Sequence, residues 1–148
     1  MATIVTRSGK GSPLTHTEMD DNFTNLDADK AGYTTSGDGG AVEQGTSQST
    51  GVTLNKKCGK ITMYTTSETT LAADTTVSFI LTNNTIEEGD VLILNHSGPS
   101  SSATFGSYNL NARCANGSAE IYVRNITSSG ITNDPVEISF ALVQAVHA

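Results

Sequence analysis

Histidines and carboxylates are the side chains of this 148-residue chain that could transfer protons or bind a metal. The three histidines, His16, His96 and His147, are far apart in the sequence, and none has a Cys or a second His at metal-ligand spacing. The chain has no nucleophile elbow, phosphate-binding loop or paired-carboxylate signature. We therefore predict a non-enzymatic protein with no catalytic residue, no metal site and no cofactor.

One stretch resembles part of a calcium-binding loop. Asp27, Asp29, Gly32 and Asp38 occupy positions 1, 3, 6 and 12 of such a loop. However, Ala31 at position 5 has no side-chain oxygen, position 12 lacks the usual Glu, and no second helix pattern follows. A helix end that leads into a flexible arm explains the same residues, and we adopt that interpretation.

Two polar loops hold further candidates for contact with a ligand or partner. Glu87, Glu88 and Asp90 cluster in a turn that we interpret as solvated. The segment "GPSSSATFGSYN" contains Phe105 and Tyr108. Aromatic side chains among Ser and Gly suit a surface loop that contacts carbohydrate or protein. They suit core positions at the start of the next strand equally well, so the sequence favours neither alternative.

Composition excludes several classes of protein. A net charge of −7 and a pI near 4.7 argue against a nucleic-acid binder, which needs a basic patch to neutralise phosphates. No apolar run has the length of a membrane helix, so we expect no membrane insertion. The start "MATIVTRSGKG" lacks the apolar core of a secretory signal, so we expect that a protein of this kind found outside a cell would leave by another route, such as lysis. Cys58 and Cys114 are expected to be buried or half-buried thiols on strands, with their pairing undecided.

The strongest helix signal lies near the N-terminus. Thr15 and Glu18 have the spacing of a capping box, in which each side chain accepts a hydrogen bond from the other residue's backbone amide. Apolar residues then recur at helical spacing. A stripe this narrow on a short helix is not stable alone in water and needs a packing partner, which could be the chain's own β-domain, sister copies or another protein. The predicted anchor residues are Leu14, Met19, Phe23 and Leu26.

The remainder of the chain reads as a linker followed by strands. We assign residues 1–31 to an N-terminal anchor of arm and helix, 32–50 to a linker, and 51–148 to a β-domain. Short alternating runs separated by turn residues indicate a mainly β fold, an antiparallel β-sandwich or jelly roll of about seven or eight strands with a short N-terminal helix and extended arm. "DVLILN" is apolar at consecutive positions and predicts a central strand covered on both faces. Asn116–Gly117 predicts a tight hairpin.

The segment "MATIVTRSGKGSPLTHTEMDDNFTNLDADK" resembles the N-terminal segment of tail-fibre-like proteins of tailed bacteriophages, especially those of marine bacteria. The part from "GGAVEQGTSQSTGVTLNKKCGKITM" to "VEISFALVQAVHA" resembles a β-domain of phage virion proteins. The resemblance implies a virion surface protein that forms a homotrimer and is attached to other virion proteins, of the capsid or the tail, by its N-terminal part. A host surface glycan or receptor is a further expected partner.

Three functions follow as expectations. The first is a short, tail-fibre-like attachment protein, although the chain lacks the long shaft that tail fibres usually carry. The second is a capsid cement or decoration protein that stabilises the head shell. The third is a module that binds or cleaves glycans.

Overall fold

The chain is mainly β and comprises two compact units, residues 1–33 and 34–148. The computed structural model describes residues 5–28, 39–98 and 106–145. The first unit contains two helices, α1 (Arg7–Lys10) and α2 (His16–Ala28). The second unit contains the strands β1 (Ala41–Glu43), β2 (Val52–Thr53), β3 (Cys58–Thr62), β4 (Thr70–Leu71), β5 (Thr76–Thr82), β6 (Val91–His96), β7 (Tyr108–Ala115), β8 (Ser118–Asn125), β9 (Ile131–Thr132) and β10 (Glu137–Val143).

Two four-stranded sheets form a β-sandwich, as the strand pattern predicts. Sheet A has the order β1-β3-β10-β6, sheet B has the order β2-β5-β8-β7, and β4 and β9 form a small separate pair. Most neighbouring strands are antiparallel, but β1 pairs with β3 and β2 with β5 in parallel. Each sheet is therefore mixed at one edge.

The core lies between the two sheets and follows from period-two alternation. Phe79, Ile121 and Ile138 point inward and are buried, while their sequence neighbours point outward. The inward-facing apolar residues of β5, β8 and β10 all belong to or pack against one hydrophobic cluster, as the alternating runs predict.

The predicted hairpin at Asn116–Gly117 is also confirmed. It joins β7 to β8, with Ala115 paired to Ser118. Gly117 has a φ of 79°, a backbone conformation that glycine adopts without steric cost. Its N–H donates to the carbonyl of Ile86 over 2.9 Å, which ties this hairpin to the turn before β6.

The prediction that "DVLILN" forms a central strand is wrong. This segment is β6, the last strand of sheet A in the described residues. Leu92 points into the core, but Val91 and Ile93 point outward and are 56% and 55% exposed. An apolar run shows that both faces of a strand carry apolar side chains. It does not show that the same chain covers both faces.

The sandwich begins earlier in the sequence than predicted. Part of the predicted linker, 32–50, lies outside the described residues, but Ala41–Glu43 forms β1 beside β3. Gln44 is buried, and its amide donates to the carbonyls of Gln48 and Thr50 and accepts the N–H of Tyr64. Around Gln44, side-chain hydrogen bonds hold the chain in place where apolar contacts would otherwise do so. The residues that follow β1 therefore have the polar composition of a linker.

Two buried asparagines fasten the turns that follow β5 and β8. The side-chain oxygen Oδ1 of Asn83 accepts hydrogen bonds from both the N–H and the hydroxyl of Thr85. Oδ1 of Asn125 accepts in the same way from Thr127. Both asparagines are 0% exposed. These Asn-x-Thr triplets are therefore structural turns, in which the side chain satisfies backbone groups that the sheet leaves unpaired.

Candidate functional site

The N-terminal unit is a helix with the predicted cap. Glu18 Oε2 accepts the N–H of Thr15 over 2.7 Å, and Thr15 Oγ1 accepts the N–H of Glu18 over 3.2 Å. Lys10 Nζ lies 2.5 Å from the same carboxylate. The Lys10 hydrogen bond first, and then that of Thr15, hold the pKa of Glu18 below its usual value. The capping box is confirmed, and it fixes where α2 begins.

A second contact joins the chain before α1 to the middle of α2. The Asn22 side chain accepts the N–H of Val5 over 2.8 Å and donates to the Val5 carbonyl over 2.8 Å. The side-chain amide of Asn22 thus accepts from and donates to the backbone of Val5, as a neighbouring β-strand would. Together with the Lys10–Glu18 ion pair, it ties both α1 and the extended start to α2.

The predicted anchor residues lie on or beside α2. Leu14 precedes the cap and is half-buried, Met19 is 41% exposed, and Phe23 is 73% exposed. Leu26 belongs to the helix, but its side chain lies outside the described part of the structure. Phe23 is the most exposed of the large apolar side chains in the described residues. Its exposure makes this helix face the leading candidate for contact with another polypeptide.

Tyr108, one of the two candidate loop aromatics, belongs to the core. It is the first residue of β7, is 8% exposed, and donates its hydroxyl to Asp134 Oδ2 over 2.7 Å. Burial first, and then Asp134, raise the pKa of Tyr108 above its usual value. Of the two alternatives, the core position is correct, so Tyr108 is not a surface-contact residue. Phe105 lies outside the described residues.

A cleft of about 300 Å³ opens where β6 and β7 approach each other. The rings of His96 and Tyr108 meet edge to face across it, with centroids 5.4 Å apart. Its lining is Leu94, Asn95, His96, Gly106, Asn109 and Leu110 together with Tyr108. No carboxylate is among these described lining residues. A general acid or base in the cleft would therefore have to be His96 or Tyr108, whose hydroxyl is hydrogen-bonded to Asp134.

The remaining groups that could do chemistry are dispersed. His16 is exposed at the start of α2, and His147 lies outside the described residues. Across the described ranges, no three His, Cys, Asp or Glu side chains form a group that could hold a metal ion. The calcium-like pattern falls largely outside those ranges, since residues 29–38 and the side chain of Asp27 are not described.

The carboxylate turn before β6 is partly structural. Asp90 is 7% exposed and accepts the N–H groups of Glu87 and Ala145 over 2.9 and 2.8 Å. Glu87 and Glu88 are exposed, as expected for a solvated turn. Asp90 therefore closes the turn and holds the end of the chain that follows β10.

Cys58 on β3 and Cys114 on β7 are half-buried and form no disulfide with each other. Burial raises the pKa of the Cys114 thiol, the charge of Asp90 raises it further, and a hydrogen bond from the Leu92 backbone opposes both. A raised pKa lowers the thiolate fraction, so Cys114 is not an activated nucleophile.

No family model, curated protein or solved structure matches the chain. Within the described residues, neither helix combines the length and apolar character that crossing a membrane requires.

The outer face of sheet A carries an apolar patch at the β6 end. Val91, Ile93 and Val143 are 50–56% exposed, and Val143 pairs directly with Val91 across the strands. The charged pair Lys60–Glu137, with 2.8 Å between Nζ and Oε1, lies away from the β6 edge, on β3 and at the start of β10. We call the three side chains the sheet A patch.

The outer face of sheet B is polar and hydrogen-bonded. Tyr122 donates its hydroxyl to Glu120 Oε2 over 2.5 Å, and a Ser78 hydrogen bond reaches the same carboxylate. Asn111, on the neighbouring strand, is paired directly with Tyr122, and Arg113 with Glu120. We call these five side chains the sheet B platform.

Sequence reasoning did not identify the platform or the buried asparagines. The platform residues stand two apart on strands, and their side-by-side placement depends on the register of β5, β8 and β7. The Asn-x-Thr triplets were a signal that could have found the buried turns, because Asn and Thr together favour side-chain-closed turns.

Proposed function

We propose that this protein is a non-enzymatic structural component of a bacteriophage virion. The N-terminal unit attaches it to the particle, and the sandwich is displayed on the particle surface in a short, tail-fibre-like attachment role. One observation carries the proposal: Phe23 and Met19 stay 73% and 41% exposed on a helix whose start is fixed by a capping box.

We infer that the apolar face of α2, with its exposed aromatic side chain, is stabilised by contact with another surface. Helices of this length are marginal in water and gain most of their stability from packing an apolar face. Burying a Phe side chain is worth about 2 kcal/mol, and aromatic anchors dominate the energetics of protein interfaces. Contact with another polypeptide supplies that burial.

A homotrimer fits the same features. In a cyclic oligomer every copy presents the same surface to the axis, so three copies of one narrow stripe cover each other. Native mass spectrometry of the full chain should give three times the 15.4 kDa of one chain. Phe23→Asp should give monomers, and Thr17→Asp, on an exposed site of the same helix, should stay trimeric. A trimer that survives Phe23→Asp would remove the helix from the interface.

Counting copies in purified particles tests the attachment role. A fibre at symmetric tail positions should be present in roughly tens of copies per particle. Antibody against the sandwich should then block adsorption to host cells. Absence of the polypeptide from particles would contradict the proposal.

A capsid cement protein is the second candidate, and the sheet A patch favours it. Val91, Ile93 and Val143 give the sandwich an apolar surface of its own. A cement protein would press such a surface against the shell while its N-terminal unit bridges neighbouring subunits. It should be present on the order of hundreds of copies per particle, and its loss should lower the thermal stability of the capsid.

A further inference from the structure

The outer face of sheet B places complementary side chains in register. On one row, Tyr122 of β8 lies between Ser78 of β5 and Asn111 of β7. On the next row, Glu120 lies between Ile80 and Arg113, so an aromatic ring, a carboxylate, a guanidinium and an amide adjoin one another. Neighbouring strands are about 4.8 Å apart, and successive outward residues of a strand are about 6.8 Å apart. These spacings are close to the dimensions of a pyranose ring.

Hydrogen bonds hold these groups in place before any ligand arrives. Tyr122 and Glu120 stand on the same strand, so their 2.5 Å contact requires the two side chains to lean toward each other. This contact fixes the orientation of the ring. Asn111 Nδ2 in turn donates to Asn109 Oδ1 over 2.5 Å. A prearranged surface loses less conformational entropy on binding than a free one.

The protonation states are also fixed. The Tyr122 hydrogen bond first, then that of Ser78, hold the pKa of Glu120 below its usual value, and Arg113 acts in the same direction. The same bond to Glu120 raises the pKa of Tyr122. At neutral pH the carboxylate is therefore an acceptor and the phenol a donor.

Charge on this face is balanced, unlike the chain as a whole. Arg113 stands opposite Glu120 in the register, and Arg124 pairs with Asp74 over 2.6 Å. Two positive and two negative side chains cancel, whereas the full chain has a net charge of −7. A neutral ligand is attracted by local hydrogen bonds and is not repelled by this surface.

We propose that the sheet B platform binds a neutral oligosaccharide, with one pyranose ring against Tyr122 and its hydroxyl groups bonded to Glu120, Arg113 and Asn111. A sugar hydroxyl both donates and accepts, so neighbouring hydroxyls can bond a carboxylate, a guanidinium and an amide together. The C–H face of the sugar packs on an aromatic ring whose polar end stays bonded. This inference deepens the attachment role by naming a ligand class. It rests on that role only for the source of the glycan, a host surface.

Titration of the purified full-length chain with defined sugars tests the site. The probes are maltohexaose, cellohexaose, mannohexaose and chitohexaose, with an alginate hexasaccharide as the anionic comparison. We expect at least one neutral probe to bind with a dissociation constant below about 10 mM. NMR shifts should be confined to β5, β7 and β8. Tyr122→Ala should weaken binding about tenfold or more.

Matched variants separate the site from general effects on the fold. Asn111→Ala, at an exposed position, should weaken binding about threefold without lowering thermal stability. Ser139→Ala, on the outer face of sheet A, should bind as the wild type does. Failure of every neutral probe, tighter binding of the alginate probe, or unchanged binding in both Tyr122→Ala and Arg113→Ala would overturn the inference. Copy number and incorporation into particles are separate measurements, so the proposed attachment role can stand when the glycan site fails.

Discussion

The interior of the sandwich and the exposed face of α2 use similar side chains with opposite outcomes. Ile61, Ile121 and Ile138 are 0% exposed between the two sheets, whereas Phe23 on the helix is 73% exposed. The sandwich buries its core side chains within one chain, while the sheet A patch on its outer face stays exposed. The helix, in contrast, presents an apolar side chain that is not buried. Under the proposed function, fold stability depends on the sandwich core and assembly on the apolar face of α2, and substitutions in each region test this assignment.

The largest effect on stability is expected inside the sandwich. Ile121→Ala removes a fully buried side chain that faces Phe79 across the strands, and should lower the free energy of unfolding by about 3 kcal/mol. Denaturant unfolding measures this loss. Ile80→Ala, at a 44% exposed position on the outer face of the same sheet, should cost less than about 1 kcal/mol. Equal costs would show that the inward and outward faces have been assigned incorrectly.

The next effect concerns a buried polar side chain. The Asn125 amide donates to the carbonyls of Leu71, Ala72 and Ser129 and accepts from Thr127. Asn125→Ala removes all of these bonds in a buried place and should cost about 2 kcal/mol. Asn111→Ala, exposed on β7, is the control and should be close to neutral. A neutral Asn125→Ala would mean that the turn after β8 does not depend on this side chain.

A smaller effect should depend on pH. The pKa of Tyr108 is raised in the fold, so below pH 10 both folded and unfolded chains hold its proton. Above pH 10 the unfolded chain releases that proton and the folded chain keeps it, so the stability that this group contributes is lost as pH rises. Tyr108→Phe should cost about 1 kcal/mol at pH 8.

Unfolding curves at several pH values test this sign. The cost of Tyr108→Phe should shrink between pH 9 and about pH 11, because the variant has no phenol to titrate at this position. A cost that grows with pH would contradict the assigned pKa direction. Circular dichroism at each pH shows whether both proteins start from the same fold.

The smallest effect on stability is expected at Phe23. Phe23→Asp should change the melting of the sandwich by less than about 0.5 kcal/mol, since exposed substitutions away from the core are near neutral. Differential scanning calorimetry resolves this transition. A large loss of sandwich stability would mean that Phe23 contributes to the core, and the contrast between the two regions would disappear.

The sequence predicted the parts of the fold that local patterns control. Period-two alternation located the main strands and their inward residues, the Asn-Gly pair located the β7–β8 hairpin, and Thr15 with Glu18 located the helix start. Each of these signals acts over a few neighbouring residues, so it can be recognised without tertiary structure.

Features that depend on distant partners were not predictable. β1 is only three residues long, and it is recognisable only from its pairing with β3. The place of β6 at a sheet edge depends on strand order, which alternation does not encode. The sheet B platform requires the register of three strands, because Ser78 is far from Arg113 and Glu120 in the sequence and joins them only through the pairing of β5 with β8.

Incorporation of Phe23→Asp into virions is the decisive test of the proposed attachment through α2. Particles assembled with wild type, Phe23→Asp or Thr17→Asp are purified, and copies per particle are counted by quantitative mass spectrometry. We expect Phe23→Asp to fall to about a tenth of the wild-type count or less, while Thr17→Asp stays at the wild-type level. Wild-type incorporation of a correctly folded Phe23→Asp protein would contradict the role of the helix as the attachment element.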